Sequence, residues 1–197
     1  LSGERLKGLN TVSVADALRF FSGMQVKDYG GVGGIKTVNI RSMGSQHLGI
    51  YYDGVELGNA QNGQVDLGQY SMDNVGEVTV YNGQRSGIFQ TASDFGSAGT
   101  VYIATRRPWF DIGETDHFRA KVKYGASDML RMSGVWEHRF SERVTSSVTA
   151  GVLTSSGKYK FRYRRKNYDG STAYDTTAVR ENGDVQAVRA EANIYGQ

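Results

Sequence analysis

Several stretches of this chain hold residue types that could bind a partner. GGVGG at residues 30–34 is dense enough in glycine to cradle a phosphate through backbone N–H groups. It lacks the Lys-Ser/Thr pair of a nucleotide loop, and no convincing helix follows it, so its plain reading is a hairpin tip. Residues 58–66, GNAQNGQVD, carry the amides Asn59, Gln61, Asn62 and Gln64. Amides donate and accept hydrogen bonds, which suits a polar ligand and equally suits turns. Residues 158–166, KYKFRYRRK, alternate cations with aromatic rings, a pattern able to contact phosphates and to stack. Arg41 and Glu77 sit on strand-like segments, where an enclosed charge needs a partner and an exposed one does not. Catalysis finds little support. His47, His117 and His138 are scattered through different elements, and no Ser/His/Asp order or metal-ligand spacing stands out. With zero cysteines there is no thiol nucleophile or thiolate site, and neither a metal nor a cofactor is expected.

The elements that must position these residues fall into two groups. In the second half, four stretches alternate apolar and polar residues. Phe118, Ala120, Val122, Tyr124 and Ala126 share a face, opposite His117, Arg119, Lys121 and Lys123. Leu130, Met132, Gly134 and Trp136 oppose Arg131, Ser133 and Glu137. Val144, Val148, Ala150 and Val152 oppose Thr145, Ser147 and Thr149. Val188, Ala190, Ala192 and Ile194 oppose Arg189, Glu191 and Asn193. Alternation over ~10 residues is the pattern of a strand that crosses a membrane in a β-barrel. A short polar turn near residues 139–143 and a long polar stretch near 155–184 match periplasmic and extracellular connections, while the link near 125–128 is short for an outside loop.

Composition is compatible with this. No apolar run approaches the ~20 residues of a membrane helix, but barrel strands hide their apolar residues at every second position. Tyrosine outnumbers phenylalanine, 12 to 8, as suits rings at a membrane–water boundary. Four strands cannot close a barrel whose smallest bacterial forms have about eight. No signal peptide begins at Leu1. The chain therefore reads as an excised piece of a longer protein.

Residues 1–106 read as a small mixed unit. Ser13 and Asp16 mark a helix start, Val14, Ala17, Leu18 and Phe21 recur at helical spacing, and Gly23 suits its stop. Short strands are expected at residues 24–29, 36–41, 49–53, 77–81 and 100–105. Residues 106–109, RRPW, look like a boundary, with proline ending the pairing and tryptophan beside basic residues suiting a membrane interface.

The order GMQV at 23–26, VNIRSMG at 38–44, IYYDGV at 50–55, VTVYNG at 78–83 and GTVYIAT at 99–105 resembles the plug domain of TonB-dependent outer-membrane receptors. Two departures stand out: Ser42 occupies the glycine position of the usual Ile-Arg-Gly, and Asn82-Gly83-Gln84 replaces Arg-Gly-Pro, with Arg85 close by. The resemblance implies an α+β plug domain over residues 1–106. Residues 107–197 then hold the first four antiparallel strands of an incomplete transmembrane β-barrel. It implies ligand-gated, TonB-energised uptake of a scarce nutrient across the bacterial outer membrane, without catalysis. Gly30, Gly31, Gly33, Gly34, Asn59, Gln61, Asn62 and Gln64 become outward apices that touch small-molecule cargo. Arg41 and Glu77 become plug–barrel docking residues. TonB would engage a segment upstream of Leu1. Lipid and lipopolysaccharide, rather than nucleic acid, would meet the barrel and the basic stretch at 158–166. Iron-siderophore, haem, cobalamin and oligosaccharide receptors share this plug pattern; residues 58–66 and LGQY at 67–70 look slightly more like the cobalamin subgroup. The other class open at this point is a soluble all-β carbohydrate- or surface-binding module, in which the four apolar faces must meet a second sheet.

Overall fold

The computed structural model describes residues 2–58, 63–82 and 96–196. The N-terminal unit opens with α1 (Gly3–Gly8) and α2 (Val14–Leu18). Ser13 caps α2: its Oγ accepts from the Asp16 amide at 3.3 Å and donates to Asp16 Oδ2 at 2.8 Å. The helix ends at Leu18, earlier than Gly23, because single turns take over, with Phe21 N–H on Leu18 O and Met24 N–H on Phe21 O. Gly23, at φ +80°, then turns the chain into β1 (Met24–Asp28).

β1 pairs antiparallel with β2 (Lys36–Ile40), and the glycine run forms the hairpin tip between them. A second sheet follows the order β4-β3-β6-β5, built from β3 (Leu48–Tyr52), β4 (Val55–Glu56), β5 (Val75–Tyr81) and β6 (Gly99–Thr105). β3 and β6 run parallel; the other pairs are antiparallel. Asp53 and Gly54 join β3 to β4 at φ +48° and +84°, as a two-residue hairpin turn demands. Leu18, Ile40, Leu67, Val78, Val101 and Ile103 form the centre of an ordinary apolar core. Arg41 and Ser42 follow β2 at φ +48° and +61°. Ser42 thus sits in the left-handed region, where the glycine of the resembling family would be free of strain.

The second region is a four-stranded antiparallel sheet of order β12-β9-β8-β7. Its strands are β7 (Asp116–Gly125), β8 (Met129–Arg139), β9 (Val144–Ser155) and β12 (Val185–Gly196), 10 to 12 residues each. The register keeps Phe118, Trp136 and Val148 in one row and Val122, Met132, Val152 and Val188 in another. The stretch expected to be a long polar connection contains a separate hairpin, β10 (Tyr159–Lys166) with β11 (Thr172–Arg180). β10 alternates cationic with aromatic residues and β11 is mostly small and polar, so neither carries the apolar–polar alternation of the longer strands. At its base Gly157 and Gly183 come so close that a Cβ on Gly157 would run into the Gly183 carbonyl.

Candidate functional site: the seam between the two regions

The sheet lays its polar face on the N-terminal unit. Along β12 every second residue is covered, and the alternate Val188 and Ile194 are 81% and 78% exposed. Phe118, Val122, Tyr124, Leu130, Trp136 and Val148 likewise point away from the N-terminal unit and are exposed. Against that unit lie Arg131, Glu137, Ser147 and Thr149, all buried.

Three carboxylates organise the seam. Asp73, just before β5, accepts from Arg131 of β8, whose Nε lies at 3.2 Å and whose Nη2 bonds the same oxygen and Ser71 Oγ. Lys121 Nζ is 4.0 Å from the other oxygen. Burial alone would raise the Asp73 pKa; the Arg131 hydrogen bonds and charge, with Ser71, outweigh it and hold the carboxyl below its usual range. Glu137 of β8 is 1% exposed and accepts from Arg119 Nη2 at 2.7 Å, with Arg106 Nε at 4.0 Å and His117 Nδ1 at 3.6 Å. Glu191 of β12 accepts from Tyr52 OH at 3.1 and 3.2 Å, from Asn74 Nδ2 at 3.3 Å and from Asn193 Nδ2 at 2.7 Å. Burial first, then the Glu191 charge, push the Tyr52 phenol above its ordinary value.

Further hydrogen bonds, two of them from cations to backbone carbonyls, fill in between. Lys123 Nζ donates to Thr11 O at 2.8 Å, Arg189 Nη2 to Gly68 O at 3.2 Å, and Thr105 Oγ1 lies 2.8 Å from Tyr195 OH. The seam is held by hydrogen bonds and ion pairs, and its partners could be exchanged for water.

The sequence-expected site residues are distributed as follows. Gly30–Gly34 closes on itself: Asp28 Oδ1 accepts from the amides of Gly30 and Gly31, and a Cβ on Gly34 would meet Gly30 Cα at 2.6 Å. The tip abuts Val185 at the start of β12, within van der Waals reach of Gly33. The segment after the amides joins it, since Asp66 Oδ1 accepts from the Lys36 amide at 2.9 Å and Leu67 N–H donates to Lys36 O at 3.0 Å. Gln64 is half-buried in this segment. Asn59, Gln61 and Asn62 lie outside the described residues, as does Arg85. Arg41 is exposed beside the β2 turn, and Glu77 is exposed on β5, accepting from Thr79 Oγ1 at 2.9 Å. Among the described residues, the ties that join the two regions run through other side chains: Asp73, Asn74, Tyr52 and Thr105 on one side, Arg131, Glu191 and Tyr195 on the other. Sequence reasoning put Arg131, Glu137 and Glu191 on the polar face but did not give them a docking role. The signal available was their ionisable character on strands whose opposite face is apolar. His117 and His138 sit on neighbouring strands but on opposite faces, pairing with Glu114 at 2.9 Å and Asp116 at 2.8 Å.

A mixed-sheet domain packed on the polar side of long antiparallel strands is the arrangement of a plugged barrel. The TonB-dependent receptor plug domain model matches residues 1–96. Vitamin B12 transporter BtuB of Vibrio vulnificus is 24% identical over 191 residues, 97% of this chain and 27% of its own length. Its counterpart from Photobacterium profundum is 29% identical over 170 residues, 86% of this chain and 25% of its own length. Among solved structures, the FrpB iron transporter from Neisseria meningitidis aligns with a TM-score of 0.65 at 12% identity, covering 95% of this chain and 28% of that one. Copper transporter OprC aligns at 0.60 and 17%, covering all of this chain and 31% of that one. Residues 1–96 belong to the TonB-dependent receptor plug domains, and the antiparallel wall strands that follow close no barrel by themselves. The chain spans about a quarter of the length of the curated relatives it matches. Those relatives are transporters, not enzymes.

Proposed function

We propose that this chain is the plug and first wall strands of a bacterial outer-membrane receptor that takes up a scarce nutrient, cobalamin or a metal chelate, with energy delivered by TonB. The observation that carries the reading is the inverted sheet. A water-soluble sandwich would bury Phe118, Val122, Val188 and Ile194 against a second sheet and wet Arg131 and Glu137. Here the apolar face is outward and the charged face is enclosed, as lipid outside and a plug inside require. The soluble-module alternative is therefore not favoured.

In this reading cargo docks at the outward apices, Gly30–Gly34 and the amides Asn59, Gln61, Asn62 and Gln64. TonB pulls on a segment upstream of Leu1, and the plug rearranges because its ties to the wall are polar and water can replace them. Arg41 and Glu77 remain proposed docking residues, with partners on wall strands beyond this chain. The β10–β11 hairpin sets Lys160, Arg162 and Arg164 on one face, with Asp175 beside the two arginines. That cationic face is suited to the phosphates of lipopolysaccharide. The relatives named as vitamin B12 transporters favour cobalamin as the first cargo to test.

The test is calorimetry of the whole receptor in detergent with cobalamin and with ferric chelates, paired with uptake by cells with and without TonB. Replacing Asn59, Gln61 and Asn62 together by alanine is expected to weaken binding by ~0.5–1.5 kcal/mol for each lost contact and to leave membrane insertion intact. Unchanged affinity would move the cargo site to the outer loops. Uptake that does not depend on TonB would overturn the energised mechanism.

A further inference from the structure

We propose that the crevice between the N-terminal segment and β7 is a binding site for a small multivalent anion, rich in carboxylate or phosphate-like oxygens, that passes between plug and wall. The inference rests on the uptake reading and narrows its cargo to anionic chelates. The crevice, about 290 Å³, is lined by Thr11 and Asp73 of the plug, by Arg119, Lys121 and Lys123 of β7, and by Arg106 where the chain leaves β6. It is separate from the outward apices at Gly30–Gly34.

Strand geometry makes the cations a ladder. Arg119, Lys121 and Lys123 stand at every second position of one strand, so they share a face at steps of roughly 7 Å. A molecule with several anionic oxygens can bridge such steps. Charge is unbalanced there: among the described lining residues, four cations (Arg106, Arg119, Lys121, Lys123) stand against one carboxylate, Asp73, with Glu137 and Arg131, the partners of Arg119 and Asp73, just behind them. Asp73 is engaged by Arg131 with Lys121 4.0 Å away, and Glu137 by Arg119 with Arg106 4.0 Å away, so two carboxylates serve more than two cations. A low-dielectric cleft lined by one sign of charge concentrates the opposite sign.

A second observation points the same way. Arg119 Nε and Thr11 Oγ1, both on lining residues, are buried without a hydrogen-bond partner. A buried donor left unmade is destabilising, and an anionic oxygen is the acceptor that suits a guanidinium N–H and a hydroxyl. The described lining contains no aromatic ring, so charge rather than stacking selects the occupant. The cover over the crevice is the chain's own start. Leu6 of α1 is buried in the plug core, and Lys123 Nζ holds Thr11 O at 2.8 Å. A pull on the N-terminal side would draw this cover off the ladder.

The experiment titrates the whole receptor in detergent with sodium citrate at low ionic strength, with glycerol as the uncharged control. Saturable citrate binding is expected, weakened by added salt. The pair Lys121→Gln/Lys123→Gln should weaken it by about tenfold or more, and Lys121→Arg/Lys123→Arg should retain it. Arg119 is left in place because its removal would strand buried Glu137; Lys121→Gln alone serves if the double variant does not fold. No saturable citrate heat, or equal affinity in the glutamine variants, overturns the site and means that carboxylates of neighbouring wall strands occupy the ladder. Uptake measured separately keeps the two ideas apart. Citrate binding in a receptor that imports no cargo supports the site and counts against the uptake reading; uptake without citrate binding does the reverse.

Discussion

Leu18, Ile40, Val78 and Val101 are buried at the centre of the plug, whereas Phe118, Val122, Tyr124, Val188 and Ile194 of the wall are 67–81% exposed. The plug is built for water, with its apolar residues drawn inward. The wall has its apolar residues drawn outward and its charges turned toward the plug, the pattern expected of a sheet that meets lipid. Where the two meet, a polar plug surface faces a polar wall, so the contact is specific without being apolar. Such a seam can hold through Asp73–Arg131 and Glu191–Tyr52 and still come apart without exposing a hydrophobic core.

The contrast can be broken at several points. Arg131→Met should have the largest effect, since it leaves Asp73 buried without its cation; removing one partner of a buried pair costs about 3–5 kcal/mol. Protease sensitivity of the plug in the intact receptor would report it, and a restored seam in Arg131→Met/Asp73→Leu would identify the stranded charge as the cause. The same pair has a pH signature. Asp73 has a depressed folded pKa, so its contribution is fully present above the ordinary carboxylate value of about 4 and is lost as pH falls through the lower folded value. Acid, not alkali, should loosen this tie, as followed by the same proteolysis across pH.

Leu18→Ala tests the water-built half. Deleting a fully buried leucine should cost about 2–5 kcal/mol of plug stability, read as plug proteolysis with the wall still inserted. Val122→Lys tests the lipid-built half: a charge near the midplane of the outward face should cost about 2–4 kcal/mol, while the neighbouring Lys121→Arg changes insertion little. Equal effects at positions 121 and 122 would break the contrast. The smallest change sharpens it. Ser42→Gly relieves a left-handed residue and should stabilise the plug by roughly 0.5–1 kcal/mol, the strain of ~1–2 kcal/mol less the entropy of glycine, measured by the denaturant midpoint of plug release.

Much of this was legible from one dimension. Period-two alternation marks β7, β8, β9 and β12 because lipid and lumen impose opposite demands on successive side chains. The Ser13 cap and the Asp53-Gly54 turn are local, so short motifs reveal them. Other elements were hidden for local reasons too. α1 is short, and β10 and β11 expose polar or aromatic residues on both faces, so no hydrophobic period sets them apart.

The order of residues was enough to separate an apolar from a polar face on each wall strand and to name the residue types that share each face. It could not say who meets whom. Asp73 and Arg131 are 58 residues apart, Tyr52 and Glu191 are 139 apart, and their pairing depends on how a folded plug is set against the four-stranded sheet. The sequence singled out Arg41 as a docking cation and gave Arg131 only a place on a polar face. Three-dimensional packing alone buries Arg131 against a carboxylate and leaves Arg41 exposed. Long-range ion pairs are chosen by spatial proximity and desolvation, and neither leaves a periodic mark on the chain.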